Sequence, residues 1–260
     1  MNPLSIQLYT VRNLLADDCA GTLERLAGIG YTQVEPFAFL SNKEELAENL
    51  PRLGLTAPTA HLRLVGEEAA DQGAFAQEVF DTARRLGITT VIDPMIDPAR
   101  WSTREDVLGV AAELQDWAER AADHGLRIGY HNHAFELRNR ISGTPALEVF
   151  AEAVGDAVDL EVDTYWAEVG GTPAADLVQR LGEQVTALHI KDGPVTERNK
   201  DQVAVGAGRM PVEKILSAAP QALAVVELDD TEQDILTAVR QSYEHLTGQA
   251  LAGAPAGGAA

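Results

Sequence analysis

A chain of 260 residues with 45% hydrophobic content can bury one large core, and its length fits a single barrel domain better than two small units. Forty Asp and Glu against twenty Lys and Arg give a net charge of −20, which argues against nucleic acid, because such binding rests on Lys and Arg neutralising phosphates. Cys19 stands alone, so no intrachain disulfide forms, and no run approaches the ~20 apolar residues of a membrane helix. The opening MNPLSIQLYTVR lacks the basic and apolar regions of a secretory leader, so the expectation is a cytoplasmic protein.

The pattern predicts strands near 4–9, 31–36, 56–61, 88–93, 126–133, 158–163, 185–190 and 223–228. Each is short and rich in Val, Ile, Leu or Thr without strict alternation, as in a parallel sheet covered on both faces. Amphipathic stretches separate them, and a last helix is predicted near 231–246. Several stretches end on glycine, as in RLAGIG, PRLG, RLG and ADHG, where a helix C-cap uses positive φ. Ser41 with Glu44, and Ser102 with Glu105, have capping-box spacing. Thr144-Pro145 and Thr172-Pro173 place a hydroxyl before a proline at the first helical position.

Eight strands alternating with eight helices close a barrel, so the predicted fold class is α/β: a single (β/α)8 TIM barrel over residues 1–246. An open doubly wound sheet is the alternative. It would more often carry a glycine-rich phosphate loop after the first strand, where this chain reads YTVRN. Two segments break the rhythm. Residues 192–210 form a polar connection too long for a turn, which marks a functional or disordered loop. Residues 247–260, ending in QALAGAPAGGAA, form a low-complexity Ala/Gly-rich tail expected to be disordered.

Seven apolar runs end on a residue able to bind a metal or move a proton: Glu35, His61, Asp93, His131, Asp163, His189 and Glu227. They span 192 positions in six intervals, an average of 32, the length of one strand plus one helix. In a parallel barrel those ends open onto one face, where such barrels keep their chemistry. His131, Asp163, His189 and Glu227 make a mixed N/O set suited to a divalent cation; the alternative is ordinary strand-end polarity that caps helices.

In YHNHAFEL, His131 and His133 share a strand face, Tyr130 and Asn132 take the other, and Glu136 falls beyond the strand, over the mouth. Lys191 follows His189 by two, placed to stabilise an oxyanion or move a proton, or else a solvated loop lysine. Gln7, Glu35 and His61 end the first three strands and form the opposite wall, suited to sugar hydroxyls. Trp166 lays its face against a sugar ring or simply packs. His124 and His245 fall on predicted helices and receive no role.

The segments SIQLYTVR, GYTQVE, YHNHAFE, DLEVDTYWAEVGG, ALHIKDG, VGAGRMPVEKI and VVELDD together resemble the sugar phosphate isomerase/epimerase family, which shares the xylose-isomerase-like barrel. The resemblance runs from SIQLYTVR to the last helix. It implies one metal held by Glu, Asp, His and Glu at the ends of strands five to eight. The last three fall on Asp163, His189 and Glu227, but His131 stands where the relatives have the first Glu. Either His131 takes that ligand position or Glu136 fills it; the reading favoured here keeps His131 on the metal and Glu136 on substrate. Because the relatives use that Glu as one of two acid/base carboxylates, the departure bears on two-base epimerisation. A histidine-rich fifth strand is reminiscent of members that dehydrate inososes or eliminate from 3-keto-glycosides.

The implied chemistry is proton abstraction next to a keto group through a metal-bound enediolate. Glu227 is the expected base, with His133 or Glu136 acting on the opposite face. Return of the proton to carbon gives an isomer or epimer. Departure of a β-substituent makes the protein a lyase or dehydratase that removes water or an aglycone. A catalytically inert sugar-binding barrel is the third reading. A DNA-repair nuclease on the same barrel is a further relative, against which the −20 charge and the single-metal ligand set weigh. Mn²⁺ is the expected ion, with Co²⁺, Mg²⁺ or Zn²⁺ as alternatives, and the expected partner is a small sugar or keto-sugar. No phosphate-binding glycine loop follows strands seven or eight, which favours an unphosphorylated substrate. A homo-oligomer is compatible with the sequence, which leaves that question open.

Overall fold

The computed structural model describes residues 4–66 and 72–248. Eight parallel strands form a nearly closed barrel: β1 Ser5–Gln7, β2 Gln33–Glu35, β3 Thr59–His61, β4 Thr90–Asp93, β5 Arg127–His131, β6 Val158–Asp163, β7 Val185–Ile190 and β8 Leu223–Val226. Neighbours follow chain order, and β1 pairs with both β2 and β8. Between β2 and β3 the ladder is reduced to two bridges, Gln33 to Thr56 and Phe37 to His61. Every strand lies within its predicted range.

Eight longer helices wrap the sheet: α1 Cys19–Ile29, α2 Lys43–Arg52, α3 Gln72–Leu86, α4 Arg104–Ala122, α5 Ala146–Val154, α6 Ala174–Leu181, α7 Val212–Ala218 and α8 Ile235–Thr247. Their apolar stripes supply the core. On α4, Val107, Val110, Leu114 and Trp117 recur at spacings of three and four and are all buried. Each such side chain contributes roughly 1.5–3 kcal/mol on burial. Among the described residues, no helix is long and apolar enough to cross a membrane.

Helix starts depart from expectation in detail. Asn42, without a side-chain cap, precedes α2, so Ser41 does not cap it. Thr103 caps α4 through the Asp106 amide at 3.1 Å, one residue past the predicted Ser102–Glu105 pair. Pro145 and Pro173 fall just before the first helical residues, not on them. The last helix starts at Ile235, capped by Asp234, because Thr231 is spent on Gln202: its hydroxyl donates to the Gln202 carbonyl at 2.8 Å. Thr247 ends α8; the rest of the predicted tail, 249–260, lies outside the described residues.

The 192–210 connection is ordered around one buried carboxylate. Asp192 accepts from the backbone amides of Gly193 (2.8 Å), Gly206 (2.9 Å), Gly208 (3.1 Å) and Met210 (3.0 Å). A Cβ at Gly208 would collide with that carboxylate, so the close approach requires glycine.

Candidate metal centre

The ends of β5, β6 and β7 and the residue after β8 bring His131, Asp163, His189 and Glu227 together, with one ligand atom from each lying within 4.8 Å of the others. His189 Nδ1 is 2.6 Å from Glu227 Oε2, and His131 Nε2 is 3.8 Å from Asp163 Oδ2. Asp163 spends its other oxygen on the Trp166 amide at 2.8 Å, capping a short helix, Thr164–Val169.

A second layer sits directly beneath. Glu161, two residues before Asp163 on the same strand face, places Oε2 2.6 Å from His61 Nε2 and 3.1 Å from both His131 Nδ1 and His189 Nε2. Glu35 Oε1 lies 2.7 Å from His189 Nε2 and accepts from Gln7 Nε2 at 2.8 Å, while its other oxygen accepts the Thr59 hydroxyl. His61, His131, Glu161 and His189 therefore form a second close group.

The two groups share His131 and His189, each through opposite ring nitrogens. A neutral imidazole donates with one nitrogen and accepts with the other. Carboxylates lie below one nitrogen of each ring, and His131 Nε2 and His189 Nδ1 face Asp163 and Glu227; with an ion bound, the lower carboxylates would hold each ring's N–H and free the upper nitrogens as ligands. A carboxylate behind each histidine is the usual support of a metal-binding imidazole, and both histidines of the upper group have one. Burial opposes charge on His189, yet Glu161, Glu227 and Glu35 hold its pKa well above the ordinary value. Burial and the neighbouring His189 push His131 well below.

Lys191 is 1% exposed, not a solvated loop lysine. Its Nζ lies 2.8 Å from Asp163 Oδ2, Glu227 Oε2 and Asp229 Oδ2. Burial favours the neutral amine, but those three carboxylates outweigh it and raise the pKa. Asp229 is held in turn by Gln202, which donates to Oδ2 at 2.7 Å and accepts the Asp229 amide at 2.8 Å. Burial would raise Glu227, yet Lys191 and His189 keep it well below the carboxylate range; burial dominates at Asp163, pushed up to about 6. Five carboxylates, Glu35, Glu161, Asp163, Glu227 and Asp229, share this space with one ammonium. His61 and His189, whose pKa values the same carboxylates raise, offset part of that charge, and two imidazoles plus two carboxylates are a donor set that suits a divalent cation.

Above the cluster opens a cavity of about 670 Å³, lined by His61, His131, His133, Trp166, Glu227 and Asp229 on its polar side. His133 Nδ1 has no hydrogen-bond partner, and burial with Lys191 nearby lowers its pKa to about 4. Trp166 stands with its ring centroid 5.7 Å from Lys191 Nζ.

Four residues singled out from the sequence lie elsewhere. Glu136 is fully buried in the short helix Phe135–Arg138 instead of over the mouth. Its oxygens accept from the Tyr130 hydroxyl at 2.6 Å and the His133 amide at 2.9 Å, and burial raises its pKa to about 8. Tyr130 faces outward against Trp101 and Phe150, so Glu136 is drawn behind β5, away from the candidate ligands and the cavity. Gln7 and Glu35 are fully buried below the histidines and do not line the cavity; only His61 of that predicted wall does. Asp93 anchors a loop, accepting from the amides of Leu64 and Val65 at 2.9 Å and Met95 at 3.0 Å. Glu161 and Asp229 were not singled out from sequence, although Glu161 shares a strand face with Asp163 two residues on and Asp229 follows Glu227 by two.

The family model described as xylose isomerase-like TIM barrel matches residues 23–246. No curated protein matches the sequence. Among solved structures, a sugar phosphate isomerase/epimerase from Parabacteroides distasonis is similar at TM-score 0.79 and 21% identity, covering 94% of this chain and 92% of that one. The IOLI protein with a binding zinc atom is similar at TM-score 0.71 and 18% identity, covering 95% and 97%. The probable 3-DHS dehydratase AsbF of petrobactin synthesis in Bacillus anthracis is similar at TM-score 0.71 and 13% identity, covering 94% and 98%. At these identities the likeness shows the fold alone. With the family model spanning most of its length, the chain belongs to the xylose isomerase-like TIM barrels.

Proposed function

We propose that this chain is a divalent-metal-dependent sugar isomerase or epimerase that transfers a proton at the carbon beside a keto group. The observation that carries this reading is the convergence of His131, Asp163, His189 and Glu227 at the cavity floor, with His61, Glu161 and Glu35 fixing the imidazoles from below. The zinc in one structural neighbour and the isomerase/epimerase description of another accord with it. The donor set suits Mn²⁺, our first choice, as well as Co²⁺, Zn²⁺ or Mg²⁺. When bound, such an ion would supply Lewis-acid polarisation of a carbonyl and its neighbouring hydroxyl.

The protein's own groups then divide the proton work. Glu227, held ionised by Lys191 and His189, takes the proton from carbon. The Lys191 ammonium, beside Glu227, stabilises charge developing on the substrate oxygen. His133 lines the cavity as a neutral base and is the group left for the opposite face, since Glu136 is withdrawn. Trp166 and His61 shape the sugar's seat.

Elimination is the second reading, favoured by one feature: strand five offers imidazoles where a second carboxylate base would stand. His133 then faces the departing hydroxyl or aglycone, to which the proton taken from carbon by Glu227 is returned, and a neighbour described as a probable dehydratase accords with that outcome. Incubation in D₂O with Mn²⁺ and either ketohexoses or 3-keto-glycosides separates the two. Deuterium uptake without elimination supports the isomerase, whereas an ultraviolet-absorbing enone supports the lyase. Bound metal with neither product leaves an inert sugar-binding barrel.

A further inference from the structure

The cavity has two ends of different chemistry. Its polar end is the metal centre with His133, Glu227 and Asp229. The other end is built by segments following β1 to β4 and the start of α3: Tyr9, Phe37, Leu40, Leu62, Phe75 and Met95. None of these six is withdrawn into the core. Tyr9 is 40% exposed, and the other five are half-buried. Tyr9 and Phe37 meet edge to face at 5.4 Å, and the Arg12 guanidinium lies 4.1 Å from the Tyr9 ring centroid, which holds that ring upright at the rim. Arg63, the cation on this wall, turns its Nε to the Met95 carbonyl at 3.3 Å.

A volume of about 670 Å³ belongs to the range that holds drug-sized ligands, roughly 300–1,000 Å³. A single sugar ring at the polar end leaves the apolar end wet. Water against half a dozen apolar side chains, two of them a packed aromatic pair, is unfavourable, and an aromatic group displaces it at a gain. We propose that the substrate is a keto-glycoside, a keto-sugar ring carrying an aromatic substituent, with Tyr9, Phe37, Leu62 and Met95 as the subsite for that substituent. This rests on the sugar reading of the polar end but not on whether proton return or elimination follows.

The test titrates the full-length, metal-loaded protein calorimetrically with phenyl β-D-glucopyranoside and methyl β-D-glucopyranoside. The phenyl compound is expected to bind about tenfold tighter or more, as burial of one ring implies. In a Tyr9→Ala/Phe37→Ala double variant the ratio should fall to near one with methyl glucoside affinity unchanged. Equal affinities in the wild type, or no binding of either glycoside, would overturn the proposal. A parallel titration of Asp163→Ala keeps the readings apart: retained phenyl preference alongside unchanged metal content sinks the metal centre and leaves the aromatic subsite standing.

Discussion

Glu35 and His189, 154 positions apart in the chain, meet at 2.7 Å beneath the barrel mouth. The contact joins Glu35 Oε1 to Nε2 of the ring whose Nδ1 faces Glu227. With an ion bound, a carboxylate there would keep the proton on Nε2 and free the Nδ1 lone pair for the ion. Replacing it with an amide of the same shape weakens that bias. Glu35→Gln should lower divalent-metal affinity about 10-fold, within the 10–100-fold cost of such supporting contacts. Competition with a metal-binding dye measures it, and an unchanged affinity would deny Glu35 this role.

Lys191 balances three carboxylates from a site that water does not reach. Lys191→Met leaves Asp163, Glu227 and Asp229 facing one another, at a cost of ~3–5 kcal/mol for a broken buried pair. A divalent cation binding the same carboxylates offsets that cost in proportion to its concentration. Thermal melts should show a metal-dependent rise in Tm larger for the variant than for the wild type. Equal rises would mean that lysine and ion do not share these partners.

Glu136 gives a pH dependence of defined sign. Burial lifts its pKa from 4.5 to about 8, so between those values the folded chain keeps a proton that the unfolded chain has lost. Stability therefore falls as pH rises, by at most about 1.4 kcal/mol per unit for this group, and levels off above pH 8. Asp93 and Asp163, raised to about 6, act in the same direction at lower pH, and His61 and His189 act so above neutrality. The diagnostic is thus the difference between wild type and Glu136→Gln from pH 6.5 to 8 in chemical denaturation. That difference should shift steadily in the variant's favour; a constant difference would show that Glu136 is ionised in the fold throughout.

The barrel was legible because each strand is a short apolar run closed by a polar residue, and that rhythm survives without any alignment. Alternation along β5 also read correctly, with His131 inward and Tyr130 outward. Glu136 did not, because one residue of helical winding after the strand decides which way its carboxylate points. Gln7 and Glu35 were misplaced for a related reason. Gln7 turns to accept the Tyr9 amide at 3.0 Å while donating to Glu35, and Glu35 is held by Gln7, Thr59 and His189. Both side chains consequently lie a layer below the mouth. Apart from Phe75 at the start of α3, the apolar wall comes from segments after the first strands, in which FAFL and LRL carry no periodicity to mark a cavity.

The most direct measurement is metal stoichiometry by mass spectrometry on the wild type and on Asp163→Ala and His189→Ala, each checked by circular dichroism for an intact barrel. We expect one divalent ion per wild-type chain and a loss of bound ion in both variants with the helical signal unchanged. A folded wild type that takes up no ion, or variants that retain the full complement, would contradict the metal centre.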